Sequence, residues 1–340
     1  MQGVEEVNRN SLQALMDRGL CGISARPDVH VLRASDLPPV EGTAAASAAA
    51  AQPGDVLVIT PTVSPLPEPH VTATSVGALL SCPRKFYYAA LLQVAEGPVI
   101  SIPRARSGDQ PGLTPFVRGR LVHRMLQHLV GRTTSARSVT SLARRFSQDE
   151  GLEDEAVVNW VSATATRAAH DFARSEAGIQ LGKARGVFRE RSFELWLGRA
   201  RVSGQIDLLI HTRGGRFVIV DYKTDEGVSS EAEAARITAS MGYREQILLY
   251  ALAVQMLLKP SAIESYLFFT HLGRTIPAAD CSPLMLGAFR ARLSGLLAHA
   301  HEADVDRAYP VTTNDAACLS CGFKARKICS KWAAARGPAA

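Results

Sequence analysis

Long hydrophobic runs are what this 340-residue sequence has least of. The longest, ILLYALAVQMLL at 247–258, is broken by Gln255. A bilayer span needs about 20 apolar residues, so this stretch reads as a buried helix of a soluble protein, with no membrane partner. The opening MQGVEEVNRN carries neither the basic stretch nor the apolar core of a secretory signal, so the expected location is cytoplasmic. Cysteine is scarce as well. Six in a chain of this length are too few for a disulfide scaffold, and in a reducing compartment clustered thiols read as metal ligands first. Internal repeats are absent. So is G-x-x-x-x-G-K-[ST], which excludes a P-loop motor within the chain.

What is present is an ordinary globular composition, 46% hydrophobic and 21% charged, long enough for one large domain or two smaller ones. The net charge of +6 suits an anionic partner such as nucleic acid. A basic excess of that size is also what a plain solvated surface shows.

Residues 1–70 carry little core-building pattern. EGTAAASAAAAQPGD is a low-complexity linker and TPTVSPLPEPH is proline-rich, so the segment is expected to be flexible, with VLVIT at 56–60 a candidate isolated strand. The folded domain is expected over 71–335. Ser75 is placed to cap a helix through VGALLSCPRKFYYAALL, in which Pro83 must start a new turn or a kink. A polar loop, SIPRARSGDQPGLT, leads to PFVRGRLVHRMLQHLV, a helix by the four-residue spacing of Val117, Leu121, Met125 and Leu129. Helical pattern continues over 136–180. The period then changes to two. VFRERSFELWLG, ARVSGQIDLLIHT and GRFVIVDYKT read as strands, the last two joined by a hairpin turn at TRGG. A helix over 231–258, a strand at SYLFFTH and a helix over 283–303 complete a mixed α/β pattern.

Polar residues interrupt the strands at telling places. Asp207 lies in the second strand, and Asp221 and Lys223 share a face at the end of the third. If those strands pair across TRGG, both aspartates reach one site. Such a pair of carboxylates suits Mg²⁺ or Mn²⁺, and a neighbouring ammonium suits a phosphate or its attacking water. The plainer reading of D-x-K is a structural ion pair at a strand end.

Five motifs in order over roughly 71–330 resemble the PD-(D/E)XK nuclease superfamily, in particular its RecB-type, AddB-like nuclease domains. SCPRKFYY resembles the opening cysteine-proline motif, and GRLVHRML the helix carrying a histidine, here His123. GQID and VDYKT resemble the segments bearing the two aspartates and the lysine, and YREQILLYA the helix bearing Gln246 and Tyr250. The resemblance implies a restriction-endonuclease-like core, a mixed central sheet flanked by helices. It implies that His123, Asp207 and Asp221 hold a metal, that Lys223 assists the attacking water, and that Gln246 and Tyr250 orient the lysine or the phosphate. Glu190 resembles an acidic position of the family, with Glu194 on the same face as its competitor. Each residue also has a plain role as a core or surface side chain. Gly119, one turn before His123, allows something to approach that helix closely.

Cys318 and Cys321 are spaced C-x₂-C, Cys329 follows after seven residues, and Cys82 lies far upstream. The resemblance implies a [4Fe–4S] cluster on these four, and four thiolates equally bind zinc. Cys21 and Cys281 match neither pattern and are expected to be free. The function implied is a Mg²⁺-dependent deoxyribonuclease, exonuclease rather than endonuclease, working in DNA repair or recombination with a helicase partner. A CRISPR-adaptation-type exonuclease has a similar layout. A non-catalytic iron–sulfur DNA-binding or scaffolding module is the rival from another class, and a nuclease assay with and without Mg²⁺ separates the two.

Overall fold

The computed structural model describes residues 69–96, 113–302, 304–318 and 321–329. The N-terminal segment up to residue 68, with its candidate strand at 56–60, lies outside the described residues, as does most of the 101–114 loop.

Six strands form one mixed sheet. β3 (Ala200–Thr212) is its spine, because it pairs along both edges. β2 (Ala184–Leu197) runs antiparallel along its whole length. On the other edge, β1 (His70–Thr72) pairs in parallel at 201–203 and β4 (Phe217–Lys223) antiparallel at 208–211. β5 (Ile263–Phe269) lies parallel to β4, and β6 (Arg274–Pro277) closes the far side. β4 is buried through FVIVDY, the near-continuous apolar run expected of a strand covered on both faces. The TRGG turn forms, with Gly215 at a φ of 75°.

Helices cover both faces. One face carries α1 (Val76–Ser81), α7 (Glu231–Ser240), α8 (Tyr243–Leu258) and α9 (Pro283–Ala298) around a core that includes Leu195, Ile219, Leu249 and Phe289. The other carries α3 (Pro115–Leu129), α5 (Glu155–Arg174) and α6 (Glu176–Gly182), which bury Val122, Leu126 and Phe172 against Leu208, Val220 and Phe268. Beyond it, α4 (Ala136–Asp149) packs on the outer side of α3 and α5, where Leu121, Met125 and Leu129 meet Val139 and Val161. α3 therefore has apolar residues on two sides, which leaves a narrow polar edge for His123. The fold is a restriction-endonuclease-like α/β core, a mixed sheet flanked by helices.

Most helices start where a Ser, Thr or Asp side chain accepts a first-turn N–H. Thr114, Ser135, Asp154, Ser175, Ser230 and Ser282 do so. Ser75 does not. Its hydroxyl turns back to Thr72, accepting from that residue's N–H at 2.9 Å. Pro83 does start a new helix, the short α2 (Pro83–Phe86), after Cys82 takes an extended conformation, and a π-helical turn follows at Tyr87–Leu91. The helix expected over 231–258 is broken at Met241–Gly242, where Gly242 has a φ of 72°. Its backbone lies so close to Gly77 of α1 that a Cβ on either glycine would stand 3.1 Å from the other's Cα. β1 and β6 escape the period-two pattern because three or four residues cannot display one. Among the described residues, no helix is long and apolar enough to cross a membrane.

Candidate active site

β4 runs through the core and surfaces at Asp221, Tyr222 and Lys223. Asp221 is 2% exposed, and the Lys223 ammonium stands 2.7 Å from its Oδ2, which accepts no hydrogen bond. β3 brings Asp207 alongside. Its Oδ2 accepts the Tyr222 N–H at 2.8 Å and lies 2.8 Å from Nε2 of His123. Gln127, one turn further along α3, stands 3.3 Å from His123 Nδ1. The strand register puts Glu190 of β2 opposite Asp207, between the pairs Arg189–Leu208 and Arg191–Ile206. His123, Glu190 and Asp207 each offer a ligand atom within 4.8 Å of the others. Asp221 stands beside this set rather than within it.

The charges in this site are not balanced. Burial pushes the Glu190 carboxyl up to about 7, with Asp207 adding to the effect and His123 opposing it. Burial likewise lifts Asp221 to about 6 although Lys223 pulls the other way. Burial alone would lower His123, but its hydrogen bond and attraction to Asp207 hold it up at about 9. Three carboxylates share one ammonium and one imidazolium, and two buried oxygens, Glu190 Oε1 and Asp221 Oδ2, accept no hydrogen bond. Glu190 also has a φ of 49°, a left-handed conformation that costs of order 1–3 kcal/mol in a residue with a side chain. Hard oxygen donors with unmet negative charge and one imidazole fit a small divalent cation.

On the other side of Lys223, Nζ donates to Gln246 Oε1 at 2.9 Å, and Gln246 Nε2 donates to the Tyr250 hydroxyl at 2.8 Å. The sheet and α8 thus bring together His123, Asp207, Asp221, Lys223, Gln246 and Tyr250. A cleft of about 630 Å³ opens beside Tyr250, with Thr72, Thr74, Ser192, Ser203 and Gln205 on its walls.

The structure also separates Glu190 from Glu194, which faces Arg201 at 3.5 Å away from the acidic set. Sequence reasoning missed Tyr243. Its ring lies over Lys223 Nζ at 3.8 Å, and its place three and seven residues before Gln246 and Tyr250 on one helix face is the signal that could have found it.

The four cysteines expected to share a metal are each accounted for by their own element. Cys82 is the extended link between α1 and α2, and Cys318 ends a 3₁₀ turn with its thiol directed at Asn314 O. Cys321 precedes the short helix at Gly322–Ala325, and Cys329 is buried nearby in sequence. Among the described residues, no three of their sulfurs lie within 4.8 Å of one another. Tetrahedral zinc, with Zn–S bonds near 2.3 Å, holds its sulfurs about 3.8 Å apart, so the arrangement does not fit a zinc site. It offers no support for an iron–sulfur cluster either.

A mixed sheet presenting clustered carboxylates and a lysine at the ends of adjacent strands defines a class of α/β protein with an acidic cation site. The model of the PD-(D/E)XK nuclease superfamily matches residues 70–329, and the chain belongs to that superfamily. Its sequence is similar to an ATP-dependent helicase/nuclease subunit of Desulforudis audaxviator, 34% identical over 183 residues, which are 48% of this chain and 14% of that protein. The ATP-dependent helicase/nuclease subunits of Bacillus mycoides (29% over 192 residues, 49% of this chain and 14% of the relative) and Pediococcus pentosaceus (30% over 118 residues, 31% and 10%) are similar too. The chain thus spans a small part of the length of these relatives.

Proposed function

We propose that this chain is a divalent-metal-dependent deoxyribonuclease that acts in the cytoplasm in DNA repair or recombination, on ends supplied by a helicase partner. The observation that carries the reading is the convergence of His123, Glu190 and Asp207 beside the Asp221–Lys223 pair. In this reading His123, Glu190 and Asp207 hold Mg²⁺ or Mn²⁺, with Asp221 as an adjoining carboxylate. When bound, such an ion supplies an acidified water and positive charge for a phosphate.

The chain's own groups do the rest. His123 gives up the proton it shares with Asp207 before it can act as a ligand. Asp221 fixes the Lys223 ammonium from one side and Gln246 from the other, which aims its remaining N–H at an attacking water or a phosphate oxygen. Tyr250, through Gln246, keeps that amide oriented. The polar cleft beside Tyr250 is wide enough for a single strand, and its hydroxyls suit backbone phosphates. The similarity to helicase/nuclease subunits supports the helicase partner and an exonuclease mode. The iron–sulfur centre is left out, because its four thiols do not converge. Iron and acid-labile sulfide found in stoichiometric amount in anaerobically purified protein would restore it.

The test is cleavage of linear and circular DNA with Mg²⁺, Mn²⁺ or EDTA. Linear DNA should be degraded only with metal, and Asp207→Asn and Lys223→Ala should each lose at least about a hundredfold in rate while still binding DNA. Metal-independent cleavage, or full activity in either variant, overturns the mechanism.

A further inference from the structure

Lysine is a point charge on a flexible four-carbon stem, so a lysine that must aim at one oxygen needs restraint on every side. Lys223 has two oxygens beside it, Asp221 Oδ2 at 2.7 Å and Gln246 Oε1 at 2.9 Å. The third side is closed by the face of Tyr243, whose ring centroid lies 3.8 Å from Nζ. That ring is itself pinned at both ends. Its backbone is the first residue of α8, just after the Gly242–Gly77 contact, and its hydroxyl donates to Asp225 Oδ1 at 2.9 Å. Asp225 lies two residues beyond Lys223 on the same stretch of chain, so one tyrosine grips both the ammonium and the backbone that carries it.

We infer that Tyr243 is a positioning residue for Lys223, and that its π face, rather than its hydroxyl, sets the aim of the ammonium. The physical reason is the kind of partner a ring makes. A third carboxylate would take the last N–H of the ammonium, whereas an aromatic face attracts the charge while leaving that N–H for an incoming oxygen. The inference rests on the nuclease reading of the site.

The test uses the full chain and single-turnover cleavage of a 5′-labelled linear DNA in Mg²⁺. Tyr243→Leu should lose about tenfold or more in rate, and Tyr243→Phe should recover most of that loss. Phenylalanines carrying one, two and three fluorines at position 243 keep the shape but drain the ring face, so the rate should fall stepwise along the series. DNA affinity, measured with Ca²⁺ in place of Mg²⁺, should stay within about twofold throughout. A flat fluorine series, or equal losses in Phe and Leu, overturns the inference. If Tyr243→Leu does not fold, the fluorinated series decides alone. Full activity in Lys223→Ala would instead sink the nuclease reading of the lysine. An inactive Lys223→Ala beside a flat series would sink only the role of Tyr243.

Discussion

Glu190 sits in mid-strand with a left-handed φ, and its buried Oε1 accepts no hydrogen bond. A carboxyl that titrates near 7 instead of at 4.5 costs the fold about 3 kcal/mol once it is ionised. The sign follows from proton counting. Between pH 4.5 and 7 the folded chain holds this proton more tightly than the unfolded one, so stability falls as pH rises through that window. His123 acts in the same direction. Its contribution is complete below 6.5 and is lost as pH rises through about 9. The metal-free protein should therefore be less stable at pH 8 than at pH 5. Glu190→Gln should melt a few degrees above the wild type at pH 8 and close to it at pH 5, and Mn²⁺ should raise the melting temperature of the wild type but not of the variant. Parallel melting curves at both pH values would show that Glu190 is not the strained member of the site. Sequence pattern alone found the residues that sit at strand or helix periods, such as Asp221 with Lys223 or Gln246 with Tyr250. It could not separate Glu190 from Glu194, because they share a parity and only a backbone torsion at Glu190 distinguishes them.

At the scale of elements, the β2–β3 ribbon changes sides at this same point. Phe193, Leu195 and Val202 belong to one core, while Val187, Leu208 and Ile210 pack into the other. The acidic residues gather where the ribbon crosses from one core to the other. α3 must then bring His123 to that crossing, and Gly119 is what lets it come close. A Cβ at Gly119 would stand 2.7 Å from Thr224 Oγ1, just past the end of β4. Gly119→Ala should therefore displace α3 at the site and reduce cleavage by about a hundredfold, the usual consequence of misplacing a reacting group by an ångström. Thermal stability should fall far less. The clash is with the hydroxyl, since Thr224 Cβ lies at an ordinary 3.8 Å. Adding Thr224→Ala should hence restore much of the rate, and a double variant as slow as the single one would rule the contact out. The paired strands and the α3 helix were legible because each runs long enough to show a period. The break between α7 and α8 was not, because it depends on the meeting of Gly242 with Gly77, far away in sequence.

Over the whole molecule, the two ends of the described domain are brought together, as the cysteine pattern led one to expect, but by different means. The α2 helix and its π turn receive the C-terminal segment through aromatic contacts, with Tyr87 stacked on Tyr309 at 5.2 Å and Tyr88 tilted on Phe323 at 5.2 Å. Between them lies Arg84, 5% exposed, whose guanidinium donates to Tyr309 O at 2.7 Å and Val305 O at 3.2 Å and pairs with Asp306. No sequence pattern announces such a residue, since its acceptors are backbone carbonyls more than two hundred positions away. Arg84→Met keeps the stem but withdraws every donor. Leaving buried carbonyls unpaired costs about 1–3 kcal/mol each, and at this domain size the sum corresponds to a melting temperature roughly 5–10 °C lower. Arg84 makes no contact with the acidic site, so cleavage per folded molecule at 20 °C should match the wild type. Calorimetry and single-turnover cleavage on the same preparation check both halves. A melting temperature unchanged by Arg84→Met would mean that the ends are held elsewhere, and a slow but stable variant would mean that the C-terminal segment reaches the chemistry itself.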